Sequence, residues 1–156
     1  MITKTAKLDT ADRRILRVLQ RDSSLPQRDL ADRVGLSQAA CWKRLRALRE
    51  SGLIASETLR IDPVKVGLSL TVFVLVRTRH HARDWLAVFR DAVMGLPNVI
   101  DFYRIAGEYD YILKIVAEDM NAFDGIYRQL IDRVELDAVT SYVTMESIAN
   151  NRDLPL

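Results

Sequence analysis

The chain has 156 residues, 49% of them hydrophobic and 28% charged, with a net charge of +2. That is the balance of an ordinary folded soluble protein, with room for one ordinary domain or two small ones. No apolar run approaches the roughly 18 residues of a membrane span, and the opening MITKTAKLD lacks the apolar core of a signal peptide. A lone cysteine, Cys41, excludes an internal disulfide and fits a reducing compartment, so the cytoplasm is the expected location.

Charge is shared unevenly along the chain. Residues 1–62 hold 13 Lys/Arg against 8 Asp/Glu, whereas residues 63–156 hold 10 against 13. A basic amino-terminal third joined to a mildly acidic remainder separates a polyanion-binding part from one with another task.

A first helix begins after Asp9, which can cap it with Asp12 three residues on, and Ile15, Leu16 and Leu19 form its apolar face. Arg13, Arg14, Arg17 and Arg21 stay outside and read as solvated or phosphate-positioning side chains. Residues 27–53, QRDLADRVGLSQAACWKRLRALRESGL, then read as two short helices broken at Gly35. Leu30, Ala31 and Val34 lie on one face of the first. Gly35 permits the positive φ of a sharp turn, and Ser37 offers an oxygen to the free amides of the next helix. This is a helix-turn-helix joint.

In the helix after Ser37, Cys41, Leu45 and Leu48 form the inward stripe, while Ala39, Trp42, Lys43, Arg46 and Glu50 point the opposite way. An exposed helix whose first turn is small and polar and whose later turns are cationic suits the DNA major groove. Gln38 can pair with an adenine edge, and Lys or Arg with guanine or phosphate. A Lys/Arg run is usually just a solvated face, but here turn, cap, apolar stripe and open face agree. Trp42 has two readings, against the duplex or folded back onto the preceding helix. Gly52 ends the helix, and ASETLRIDP beyond it alternates loosely, as a small wing or ribbon would, up to Pro63. The domain reading is therefore 1–62 for the DNA-binding unit, 63–68 for a hinge, 69–147 for a second domain and 148–156 for a tail.

From Leu70 the pattern is strand, helix, strand, strand, helix, strand. Leu70–Val76 is a β-rich apolar run, Trp85, Leu86, Phe89 and Val93 mark a helix, and Val99–Ile105 and Tyr111–Val116 are strands. Phe123, Ile126, Tyr127, Leu130 and Val134 space a second helix, and Val139–Met145 is the last strand. The order predicts an α+β fold, with the winged helix-turn-helix followed by a ferredoxin-like βαββαβ unit in which the first and third strands are central. Both helices of such a unit lie on one sheet face, yet LTVFVLV is apolar on both. Leaving the second face wet forfeits roughly 25 cal/mol per Å², so a second copy of the chain is its economical cover.

The turn Ala106-Gly107-Glu108-Tyr109-Asp110-Tyr111 has two readings. One is an ordinary hairpin connection. The other is a site where amides near Gly107 receive a carboxylate and Asp110 or Glu108 faces an ammonium group; composition alone does not choose. No Ser/His/Asp or Cys/His set suggests an enzyme. His80, His81 and Asp84 read as surface residues, because adjacent histidines at a strand end point to opposite sides, so no metal site is expected. The rival to DNA binding is a winged helix used only for protein contacts.

These segments resemble the leucine-responsive/asparagine-regulator (Lrp/AsnC) family of transcription regulators. The resemblance runs through LDTADRRILRVLQ, DLADRVGLSQAACWKRLRALRESGLI, IDPVKVGL, AGEYDYILKI and a closing LPL. It implies a DNA reader joined to a ligand-sensing domain, assembled as a homodimer that associates into tetramers or octamers, with a small amino acid as effector and no cofactor. The positions matching the family's amino-acid response site are Ile105, Gly107, Asp110, Met120, Tyr142 and Thr144, where two subunits meet, with Asp110 for the ligand's ammonium group. In the reader, Gln38, Ala39, Trp42, Lys43 and Arg46 match the base- and phosphate-facing positions, and Arg44 matches a basic position typical of the family. Pro26 departs from the Ser or Thr of many relatives.

Overall fold

A computed structural model describes residues 7–80 and 82–156 of the chain. Helix α1 (Thr10–Arg21) starts on a complete capping box: Asp9 accepts the Asp12 amide while Asp12 accepts the Asp9 amide, so two otherwise orphaned donors are satisfied reciprocally. Helix α2 (Gln27–Val34) has Pro26 at its cap and no side-chain cap bond. The departure at Pro26 therefore leaves the helix start in place but without an oxygen to cap it. Gly35 closes α2 at φ 68°, a conformation that costs glycine little. Ser37 then caps α3 (Gln38–Glu50) through the Ala40 amide at 3.3 Å. The end of α3 falls on Ser51, one residue before Gly52, with Gly52 and Leu53 donating back to Arg49 and Leu48, the bond pair of a Schellman motif.

Ile15, Leu16, Leu30, Ala31, Val34, Cys41, Leu45 and Leu48 form one buried cluster, so the three helices enclose a small core. The residues 55–62 carry no strand. The ribbon expected there does not form: Leu59 and Ile61 alternate as a strand would, but both are exposed. A strand needs a neighbour to take its backbone bonds, and none pairs with it among the described residues. Pro63 leads into a 3₁₀ turn, Val64–Val66, in the segment read as a hinge.

The chain forms two units, one ending at Leu59 and including Ala149–Leu156, the other spanning Arg60–Ile148. The second contains β1 (Leu70–Arg77), α4 (Arg83–Met94), β2 (Val99–Arg104), β3 (Tyr111–Ala117), α5 (Met120–Ile131) and β4 (Ala138–Val143). This is the βαββαβ order, and its antiparallel sheet runs β2-β3-β1-β4, with the two most apolar strands in the middle. Val134 is buried but lies beyond α5, which ends at Ile131. Its spacing mimicked another helical turn.

Both helices pack on one sheet face. Val72, Val74, Val76, Leu113 and Ile115 share a buried cluster with Phe89 and Val93 of α4 and with Phe123, Ile126 and Leu130 of α5. Phe89 is central to the aromatic part, stacked on Trp85 at 5.0 Å and edge-on to Phe102 at 5.6 Å between ring centroids. On the other face, Phe73 lies opposite Lys114 and Tyr142, and Leu75 opposite Ile112 and Thr140. No helix of this unit covers them. No helix among the described residues is long and apolar enough to cross a membrane.

Candidate nucleic-acid interface and ligand site

The outward face of α3 is shaped by its inward stripe. With Cys41, Leu45 and Leu48 buried, the helical period turns Ala39, Trp42, Lys43 and Arg46 outward, and all four are exposed. They line an open groove of about 770 Å³ with Gln38, Ala47, Glu50 and, from α2, Gln27. Trp42 is half exposed and carries the Arg46 guanidinium 5.4 Å from its ring centroid, within cation–π range. Arg46 Nε also donates to Glu50 Oε1 at 2.6 Å. The groove thus presents an indole, two cations, one carboxylate and two amide side chains.

Two of its residues, Gln27 and Ala47, were not among those read from the sequence. Ala47 could have been found, since it stands one helical turn beyond Lys43. Gln27 belongs to another helix and becomes a neighbour only through the packing of α2 on α3.

Arg44 is not on this face. Its Nη1 donates to Asp9 Oδ2 at 2.6 Å and to Asp12 Oδ1 at 2.9 Å, so the guanidinium ties α3 to the capping box of α1. The Asp12 amide and the Arg44 side chain hold the Asp9 carboxyl below its ordinary value, and Asp9 and Asp12 together raise Arg44. Of the six reader positions read from the sequence, Arg44 is the one whose side chain is paired with two carboxylates of another helix. Cys41 is likewise internal, and burial raises its thiol pKa, which opposes thiolate chemistry.

In the second unit, the turn between β2 and β3 is a closed connection in which Ile105 N–H donates to the Asp110 carbonyl at 2.8 Å. Gly107 sits within it at φ 147°, a region that L side chains avoid. Asp110 is partly buried, and its Oδ2 accepts the backbone N–H of Thr78 at 2.8 Å. The Asp110 amide in turn donates to the Val76 carbonyl at 2.9 Å. Asp110 therefore clasps the end of β1. Thr78 is a partner that the sequence did not suggest.

Met120 and Tyr142 are exposed, whereas Thr144 Oγ1 is buried without a hydrogen-bond partner, a condition that native structures rarely leave unmet. The Thr144 amide donates to Thr71 at the start of β1 at 2.9 Å. The six ligand-site positions thus fall into separate groups within one chain. Ile105, Gly107 and Asp110 lie where β3 begins; Met120 and Thr144 lie near its end, and Tyr142 stands on the uncovered face between. The seven residues of β3 separate the end groups by roughly 20 Å at about 3.3 Å per residue. His80 stands 3.9 Å from Glu135, and His81 lies outside the described residues.

A cationic helix-turn-helix on one unit and a ferredoxin-like sheet with an uncovered apolar face on the other define a DNA-binding regulator with a separate ligand-binding domain. Comparison with known proteins makes this specific. Residues 8–55 match a winged helix-turn-helix DNA-binding family and residues 71–154 match the Lrp/AsnC ligand binding domain, so the chain belongs to the Lrp/AsnC family and is a transcription regulator.

The chain is 41% identical over 150 residues to the DNA-binding transcriptional activator DecR of Escherichia coli, covering 96% of this chain and 99% of that one. A crystal structure of an AsnC family transcriptional regulator from Agrobacterium tumefaciens is 42% identical with TM-score 0.91, covering 95% of this chain and 97% of the other. A transcriptional regulator from Neisseria meningitidis, solved as an L-Met complex, is 31% identical with TM-score 0.90, covering 96% and 97%.

Proposed function

We propose that the protein binds duplex DNA through Gln38, Ala39, Trp42, Lys43 and Arg46, as a homodimer whose DNA affinity or assembly shifts when a small amino acid binds between sensing domains. The observation that carries the DNA half is the outward face of α3, where a cationic groove surrounds a half-exposed Trp42. Groove width admits such a helix, and Lys and Arg answer phosphate or guanine. Two readers about one DNA turn or a multiple apart match a near-palindromic site.

The effector half rests on the divided ligand site. Phe73, Leu75 and Ile112 line a face that no helix of the unit covers, and a second copy packed there offers the burial that the monomer lacks. A two-fold axis on that face brings the Asp110 end of one sheet toward the Thr144 end of its partner. The site is then completed by both copies. In this arrangement Asp110 meets the ammonium group, amides near Gly107 take the carboxylate, and the orphaned Thr144 hydroxyl gains a partner. The L-Met complex of the Neisseria relative supports an amino-acid ligand. Further association of dimers into tetramers or octamers follows from the family resemblance.

The test is a thermal-shift screen of the twenty amino acids on the wild type and on Asp110→Asn. A ligand that binds the folded dimer raises its melting temperature. Asparagine keeps an oxygen for the Thr78 amide and removes the charge. The expected result is a shift in the wild type, no shift in the variant, and DNA binding retained by both; a full response in Asp110→Asn sinks the site.

A further inference from the structure

Residues 149–156 follow the last strand of the sensing unit in sequence but fold with the reader. Their contacts with α1 are specific. Gln20 makes a two-way pair with the backbone of Leu154, accepting its N–H on Oε1 at 2.7 Å and donating from Nε2 to its carbonyl at 3.3 Å. Arg21 Nε reaches Asp153 Oδ2 at 3.2 Å, and Arg17 Nε donates to the main-chain oxygen of Leu156. The Leu156 side chain packs, partly buried, against the reader core. One face of α1 therefore grips an extended segment by its backbone, much as a neighbouring strand would, and anchors it with one apolar side chain. Two of the arginines read from the sequence as solvated or phosphate-positioning are held by this segment.

The consequence is topological. The chain leaves the reader once at Leu59 and returns at Ala149, so the sensing unit is joined to the reader at both of its ends. The returning connection starts at β4, which ends at Val143 beside Tyr142 and Thr144, the residues placed above in the ligand site. Between Val143 and Asp153 run nine residues, 144–152, which span at most about 30 Å when fully extended. The return path from the end of β4 to Leu154 and Leu156 is therefore a short covalent one. The clamp itself is made mostly of exposed hydrogen bonds, the kind of contact that opens below global unfolding. Closed and released states of such a clamp would be the two arrangements that coupling between separated sites requires.

We propose that residues 149–156 are a strap that carries the state of the sensing unit to α1 of the reader, with Gln20 as the residue that positions it. This rests on the amino-acid response proposed above, and it adds the route by which that response reaches DNA.

The test compares the full chain with a chain ending at Ile148 and with Gln20→Ala, a change that alters no charge and lies outside the DNA-facing set. The probe is an equimolar mixture of the twenty L-amino acids. Two quantities are read: the melting temperature with and without the mixture, and the affinity for an operator-containing duplex with and without it. In the wild type, coupling of the usual size changes DNA affinity by about 5- to 150-fold. In the shortened chain the mixture should still raise the melting temperature, while its effect on DNA affinity falls below about twofold. Gln20→Ala should lie between, with DNA affinity in the absence of the mixture unchanged. Wild-type coupling retained in both variants overturns the strap alone. A mixture that leaves the wild-type melting temperature unmoved overturns the amino-acid reading, and with it the signal for the strap to carry.

Discussion

The two units solve the problem of a small core differently. The reader encloses eight buried residues among three short helices and reinforces them with caps and with the Arg44 fork on Asp9 and Asp12. Its outward face is left free for a polyanion. The sensing unit instead buries fifteen residues on one side of a sheet and leaves Phe73, Leu75 and Ile112 on the other. That free face carries these apolar side chains beside Lys114, Thr140 and Tyr142. The difference teaches that the unit with the smaller core spends polar contacts on its own integrity and meets a charged partner. The unit with the larger core leaves one sheet face that none of its own helices covers.

The contrast breaks most visibly at Phe89, which is fully buried in the aromatic part of the sensing core. Phe89→Ala should cost about 3–5 kcal/mol, read by urea denaturation. It should lower the transition of the sensing unit and leave the helical reader's own transition in place. A loss shared equally by both units would show that they do not fold as separate cores.

A smaller effect sharpens the view of the reader's surface. Arg46 pairs with Glu50 in the free protein, an exposed ion pair worth little, so DNA phosphate can displace it. Arg46→Ala should weaken DNA binding and reduce the slope of log affinity against log salt by about one unit, with the fold intact by circular dichroism. An unchanged slope removes Arg46 from the phosphate contacts.

The smallest effect concerns acid. Asp9 has its folded pKa held below the ordinary 3.8 by the Asp12 amide and by Arg44. Its contribution to stability is therefore fully present above that value and is lost as the pH falls through the lower folded value. Asp9→Asn should flatten the acid limb of the reader's stability below about pH 4, because the variant already lacks at neutral pH the small stabilisation that the wild type loses only in acid. A stability curve identical to the wild type on the acid side would show that the fork does not form in solution.

Much of this was legible along the chain. The break at Gly35, the Asp9 and Ser37 caps and the buried stripe of Cys41, Leu45 and Leu48 are local matters. They are governed by φ freedom, by nearby amides and by the helical period, and they place Trp42, Lys43 and Arg46 outside without further information. The alternation in Leu70–Val76 likewise announces a sheet with two apolar faces. Other features were misread for reasons that are equally physical. A strand needs a partner, so the alternation around Leu59 and Ile61 gave no ribbon. The partners of a long cation are set by packing, so the pairing of Arg44 with Asp9 and Asp12, more than thirty residues away, could not be read from neighbours in the sequence.

By itself, then, the order of residues determined the helix-turn-helix, its exposed cationic face and the βαββαβ succession, because periodicity and capping act over three or four neighbours. Only the folded structure decided that Asp110 clasps Thr78, that Met120 and Thr144 stand at the far end of the sheet from it, and that the closing LPL returns to α1. Those outcomes depend on strand register and helix packing, which join residues far apart in the chain, and no local pattern encodes them.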